Sequence, residues 1–83
     1  MTDRLEGKKV VGLKQSIKAI RNNMDKKIYL AKDCDGKILK QIEDAADGRT
    51  LENIVYVDTM KELGTLCGID VGATIAVVLH EQE

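Results

Sequence analysis

An α/β sandwich of three layers is the fold class that this chain predicts, and three observations carry it. Apolar strand-like runs alternate with amphipathic helical runs, there is no proline, and there is no linker or low-complexity stretch. At 83 residues a single domain is expected, 1–83, with a modest core.

The elements follow in order. "KKVVG" (8–12) reads as a short strand closed by Gly12. Residues 13–22 read as a helix, with Leu13, Ile17 and Ile20 at i, i+4 and i+7 on one face and Ala19 beside them. "KIYLAKD" (27–33) is a strand with an apolar centre. Asp35 is placed to cap the next helix, "GKILKQIEDAA", whose stripe is Ile38, Leu39, Ile42, Ala45 and Ala46, and Gly48 stops it. "ENIVYVD" (52–58) is a further core strand.

In "TMKELGTLCG", Thr59 and Glu62 have capping-box spacing, which would satisfy two early amides. Met60, Leu63, Leu66 and Cys67 face inward, and Gly68 takes the left-handed position after the helix. "IDVGA" connects to the last strand, "TIAVVLH" (74–80). The three longer strands are nearly continuous apolar runs, as in a sheet covered on both faces. Whether the strands are all parallel is not legible in the pattern.

Composition narrows the function. The chain is 43% hydrophobic and 33% charged, the balance of a globular protein. No apolar run approaches the ~20 residues that span a bilayer. "MTDRLEGKK" has no apolar signal-peptide core, so a cytoplasmic protein without membrane association is expected. Cys34 and Cys67 suit small buried thiols better than a disulfide framework or a zinc site. "DCDG" (33–36) opens like a calcium loop, but the later ligand positions do not follow, leaving a turn and a helix cap. His80, the single histidine, ends a strand and has no evident catalytic partner. No enzyme, cofactor or metal is expected.

Charge is unevenly distributed. The net charge is -1, yet residues 4–27 hold eight basic and two acidic side chains, a net of +6. Residues 33–83 hold four basic and eleven acidic ones, a net of -7, and Lys32 and Asp3 cancel. One basic face on an acidic body is an electrostatic footprint of nucleic-acid binding, although a solvated charge run has the same composition.

The basic run includes Lys14, Gln15, Lys18 and Arg21 on the first helix. Cations on the first turns of a helix oppose its dipole, so stability does not explain them, whereas an anionic partner would. Lys14 and Lys18 share a face, with Gln15 beside them. Lysines donate to guanine O6 or N7 or to phosphate, and an amide both donates and accepts. Gly12 allows close backbone approach, and the amides behind it suit an anion. The alternative is an amphipathic surface helix whose glycine eases a turn. Tyr29 and Tyr56 are the only aromatic residues, both in expected core strands, so a base-stacking surface is not expected.

"GLKQSIKAI", "IYLAKDCD" and "LGTLCGIDVGA", in this order and spacing, resemble the ribosomal protein family named L-seven-Ae and its relative L-thirty-e, in particular small bacterial members. The resemblance runs over residues 8–80. It implies an α/β/α sandwich around a mixed four-stranded sheet and binding of the kink-turn, an RNA helix bent at a bulge flanked by tandem sheared G·A pairs. It further implies that Lys14, Gln15 and Lys18 read guanine edges, that Gly12 permits close approach, and that Ile69, Asp70, Val71 and Gly72 pack on the bulge, with Val71 as the apolar contact. Lys8, Lys9, Arg21 and Lys26 are then the expected phosphate contacts. Archaeal and eukaryotic members often carry asparagine and glutamate where this chain has Lys14 and Gln15, and an amide accepts a hydrogen bond less strongly than a carboxylate.

The sequence thus predicts a monomeric, non-enzymatic RNA-binding protein acting on ribosomal RNA or a structured messenger RNA element, and possible company with the ribosome. A protein-interaction module on the same fold is the alternative. A small α/β enzyme is a remoter one.

Overall fold

The computed structural model describes residues 8–48, 51 and 53–80. Position 52, expected to open a strand, lies outside them, as do Asp3, Arg4 and Glu6. The elements are β1 (Lys9–Val11), α1 (Leu13–Arg21), β2 (Asp25–Ala31), α2 (Lys37–Ala46), β3 (Ile54–Val57), α3 (Met60–Leu66) and β4 (Ile75–Leu79). They form one mixed sheet in the order β1-β4-β2-β3. β4 is antiparallel to β1 and to β2, whereas β3 is parallel to β2. The first three strands therefore point one way, and the three helices that follow them all begin at the same rim. β4 runs the other way, so it too begins at that rim.

Two apolar layers hold the sheet. On one face Ala19 and Ile20 of α1 and Ile42, Ala45 and Ala46 of α2 pack on Ile28, Leu30, Ile75 and Val77. On the other, Leu63 and Cys67 pack on Ala31, Val57, Ala73 and Ala76. The three-layer sandwich expected from the alternation is the observed architecture. Ser16 departs from the apolar stripe of α1. It is fully buried, and its Oγ has no hydrogen-bond partner.

Local chemistry sets the element ends. Asp35 Oδ1 accepts from Lys37 N at 2.9 Å, the cap expected for α2. Asp47 (φ 50) and Gly48 (φ 86) turn the chain out of that helix through left-handed backbone. At α3, Thr59 Oγ1 accepts from Glu62 N at 3.0 Å. Met60 N, the first amide of the helix, donates from across the fold to Asp33 Oδ1 at 2.8 Å. β2 begins two residues earlier than the apolar pattern suggests, with a pairing irregularity between Asp25 and Lys27. Asn53 secures that irregularity: its Nδ2 donates to Asp25 Oδ2 at 3.1 Å, to the Asp25 carbonyl at 3.2 Å and to the Lys26 carbonyl at 3.1 Å.

One expectation needs correction. β3 is an edge strand, not a strand covered on both faces, and Val55 and Tyr56 are 38% and 50% exposed. With a neighbour on one side only, an apolar sequence is not sufficient for burial. Tyr56 lies beside Leu39, Cys34 and Asp35 at an open slot, not in the core.

Candidate nucleic-acid interface

The candidate site is built where β1 gives way to α1. Gly12 has φ 99 and ψ 156, a region that is essentially restricted to glycine. Its amide donates to the Ile75 carbonyl at 2.9 Å, and its carbonyl accepts from Ser16 N at 3.0 Å. A Cβ at Gly12 would meet nothing within 4 Å, so the glycine answers a backbone requirement and leaves open space in front of the helix.

The N-termini of the three helices differ. Those of α2 and α3 receive side-chain oxygens from Asp35, Thr59 and Asp33. α1 has no side-chain cap and no acidic residue in its first turn. Its first amides and its dipole thus receive no side-chain cap from the fold.

Lys14, Gln15, Lys18 and Arg21 are all exposed. Together with Ile17 and Asn22 they line an open depression along α1. Helical spacing puts Lys14 one turn from Lys18 and Gln15 three residues from Lys18, so the three form one cluster. Among the described residues none of these cations makes an ion pair; the recorded pair is Lys32 Nζ to Asp58 Oδ1, 3.3 Å apart.

α1 is short, which refines the charge argument. Lys18 and Arg21 lie in its last turn, where cations suit the dipole. Lys14 alone stands against it, in the first turn beside the uncapped amides.

The second region, Ile69, Asp70, Val71 and Gly72, is exposed and precedes β4 at the same rim. Val71 is 70% exposed and Ile69 38%. The loop is fixed to α3 by Ile69 N to the Gly64 carbonyl (3.0 Å) and Ala73 N to the Met60 carbonyl (2.9 Å). The bond from Gly12 to Ile75 then joins both regions through the start of β4.

The basic residues outside α1 are more dispersed. Lys8 is exposed just before β1. Lys9 is half-buried, on the strand face shared with Val11, which packs in the α3 layer, while Val10 packs in the α1 and α2 layer. Its charge acts on the Cys67 thiol. The structure therefore sets Lys9 on the opposite side of the sheet from the α1 cluster. Lys26 is exposed in β2, whose first residues lie at the far rim from Gly12. Sequence reasoning missed Gly64 and Asp33, which hold the second region; "LG" in a helix was the one available signal.

The chemistry here is recognition by hydrogen bonds and charge. Among the described residues no group of three or more His, Cys, Asp or Glu side chains could hold a metal ion, and no helix is long and apolar enough to cross a membrane. Both cysteines are free thiols, and burial raises the pKa of each above 9.0.

Comparison with known proteins decides the family. The model described as the ribosomal protein L7Ae/L30e/S12e/Gadd45 family matches residues 3–83. The chain belongs to this family. Its relatives include a protein named RNA-binding protein TTE2299 from Caldanaerobacter subterraneus subsp. tengcongensis, 46% identical over 83 residues, which span 99% of this chain and 100% of the relative. RNA-binding protein BH0128 from Halalkalibacterium halodurans is 41% identical over 69 residues, 82% of this chain and 83% of that one. RNA-binding protein YbxF from Geobacillus stearothermophilus is 36% identical over 74 residues, 89% of each chain. In this family member the sheet is mixed and four-stranded, as the resemblance implied.

Proposed function

We propose that this protein is a non-enzymatic RNA-binding module that recognises kink-turn RNA, in ribosomal RNA or a structured messenger RNA element, as a cytoplasmic monomer. The observation that carries the reading is the exposed Lys14, Gln15 and Lys18 cluster at a helix N-terminus without a side-chain cap. Family relatives named as RNA-binding proteins support the ligand class.

A regular A-form helix hides its base edges in a deep, narrow major groove. A sharp kink with tandem G·A pairs widens that groove, and a short helix then reaches the guanines. Lys14 and Lys18 donate to guanine O6 and N7, Gln15 contributes its amide, and the free amides behind Gly12 take a phosphate. Arg21 meets the backbone, and Val71 with Ile69 covers the unstacked nucleotide of the bulge. Binding selects the bent state by differential affinity alone, so the protein stabilises the kink to the extent that it discriminates against straight RNA.

The test is a gel shift with a kink-turn oligonucleotide beside the same RNA carrying Watson–Crick pairs in place of the G·A pairs, at near-physiological salt. A clear preference for the kink-turn is expected. Equal affinity for the two would sink the reading and favour a protein-interaction module.

A further inference from the structure

We propose that Gly64 is a positioning residue for RNA recognition: the missing side chain lets the 69–72 backbone lie directly on α3, and this contact sets where Val71 projects. The proposal rests on the RNA-binding reading above and extends it to a residue that no RNA atom need touch.

Gly64 stands inside α3, a helix of seven residues, and is buried. Glycine inside a helix is unfavourable by roughly 1 kcal/mol relative to alanine, so local stability does not explain it. Space does. A Cβ on Gly64 would overlap the carbonyl oxygen of Val71 and come within 3.2 Å of Gly72 Cα. The clash is with backbone, which cannot rotate away as a flexible side chain would.

The bonds around this contact bracket it. Ile69 N donates to the Gly64 carbonyl at 3.0 Å, and Ala73 N to the Met60 carbonyl at 2.9 Å. Gly72 lies against Met60, where its own Cβ would be 3.3 Å from Met60 Cβ. Met60 N in turn donates to Asp33 Oδ1 in the turn that follows β2, so the loop is referenced to the sheet through α3. With its carbonyl set against Gly64, Val71 is left 70% exposed. Valine is stiff at χ1, so its backbone position largely fixes its methyl groups. The result is a preformed apolar knob whose ordering cost is met before RNA arrives.

The experiment uses the full chain with Gly64→Ala, Val71→Ala and the double variant. Gly64→Ala should weaken kink-turn affinity by at least about fivefold, within the range of coupling between contacting residues. In the Val71→Ala background the same change should cost less than about twofold, because the residue through which it acts is gone. Amide exchange at Ile69 and Ala73, measured without RNA, should accelerate in Gly64→Ala. If Gly64→Ala does not melt cooperatively, Gly72→Ala carries the test, with the same direction, a smaller loss and the same dependence on Val71. Penalties that multiply in full, or unchanged exchange at the two amides, overturn the proposal while leaving kink-turn binding intact. Failure of the unaltered chain to prefer kinked RNA overturns the functional reading, and with it this role of Gly64, even where exchange accelerates.

Discussion

The amide of Gly12 donates to the carbonyl of Ile75 at 2.9 Å, joining the start of α1 to the strand that follows the 69–72 loop. Because Gly12 makes this bond with φ 99, its conformation is a condition of the site's shape.

Gly12→Ala should therefore destabilise the protein by about 1–3 kcal/mol although no atom stands in the way of the new methyl group. Gly36 is the control. It also has open space around a Cβ, but its φ is -58, so Gly36→Ala should be neutral or stabilise by roughly 0.4–1 kcal/mol. Urea denaturation of both variants checks this. Equal effects would show that backbone conformation at Gly12 is not the constraint.

Gln15 and Arg21 should separate base reading from phosphate contact. Gln15→Ala should reduce discrimination between kink-turn and Watson–Crick-paired RNA by ~1–3 kcal/mol. Arg21→Ala should weaken binding to both and lower the salt slope by about one. A titration over a range of salt concentrations distinguishes the two outcomes. Unchanged discrimination in Gln15→Ala removes that residue from the base-reading set.

Asn53→Ala should lower stability by about 1–3 kcal/mol, the usual range when buried polar groups lose a partner. Three acceptors on Asp25 and Lys26 lose one donor group together. The denaturation midpoint reads the loss, and a midpoint equal to that of the unaltered chain would refute it.

The cysteines should be unreactive at mildly alkaline pH. Burial is the largest cause of the upward shift at both Cys34 and Cys67, so less thiolate is present below pH 9.0 than in an unfolded chain. Alkylation should be slow in the native protein and faster in denaturant, with Cys67, 7% exposed, slower than the half-buried Cys34. The stability sign follows. A raised native pKa favours the neutral thiol, so this contribution is complete below pH 9.0 and lost as pH rises through the native values. Native thiols that react as fast as unfolded ones would contradict both statements.

Short-range chemistry made most elements legible in the sequence. Asp35 beside Lys37, and Thr59 three residues before Glu62, are local hydrogen bonds that the chain announces by spacing. Apolar periodicity located the inward faces of Ile20, Ile42 and Leu63. Contacts distant in sequence were not legible. Asp33 capping Met60, Asn53 binding Asp25 and Gly64 against Val71 depend on which elements meet in space. Tyr56 was misread for the same reason: strand order decides which apolar strand forms an edge, and no residue within β3 encodes that order. At the candidate site, the exposed face of α1 was legible from helical spacing. The length of α1 was legible to within one residue, 13–22 expected against Leu13–Arg21 observed.

Three helix starts share one rim, and the fold's own oxygens occupy two of them. On the proposed reading, α1 is the start at which no side-chain oxygen of the fold competes with an incoming phosphate. The direction of approach would then be set by the scaffold's own carboxylates, and neutralising Asp35, which accepts from Lys37 N, would remove the competing oxygen at α2.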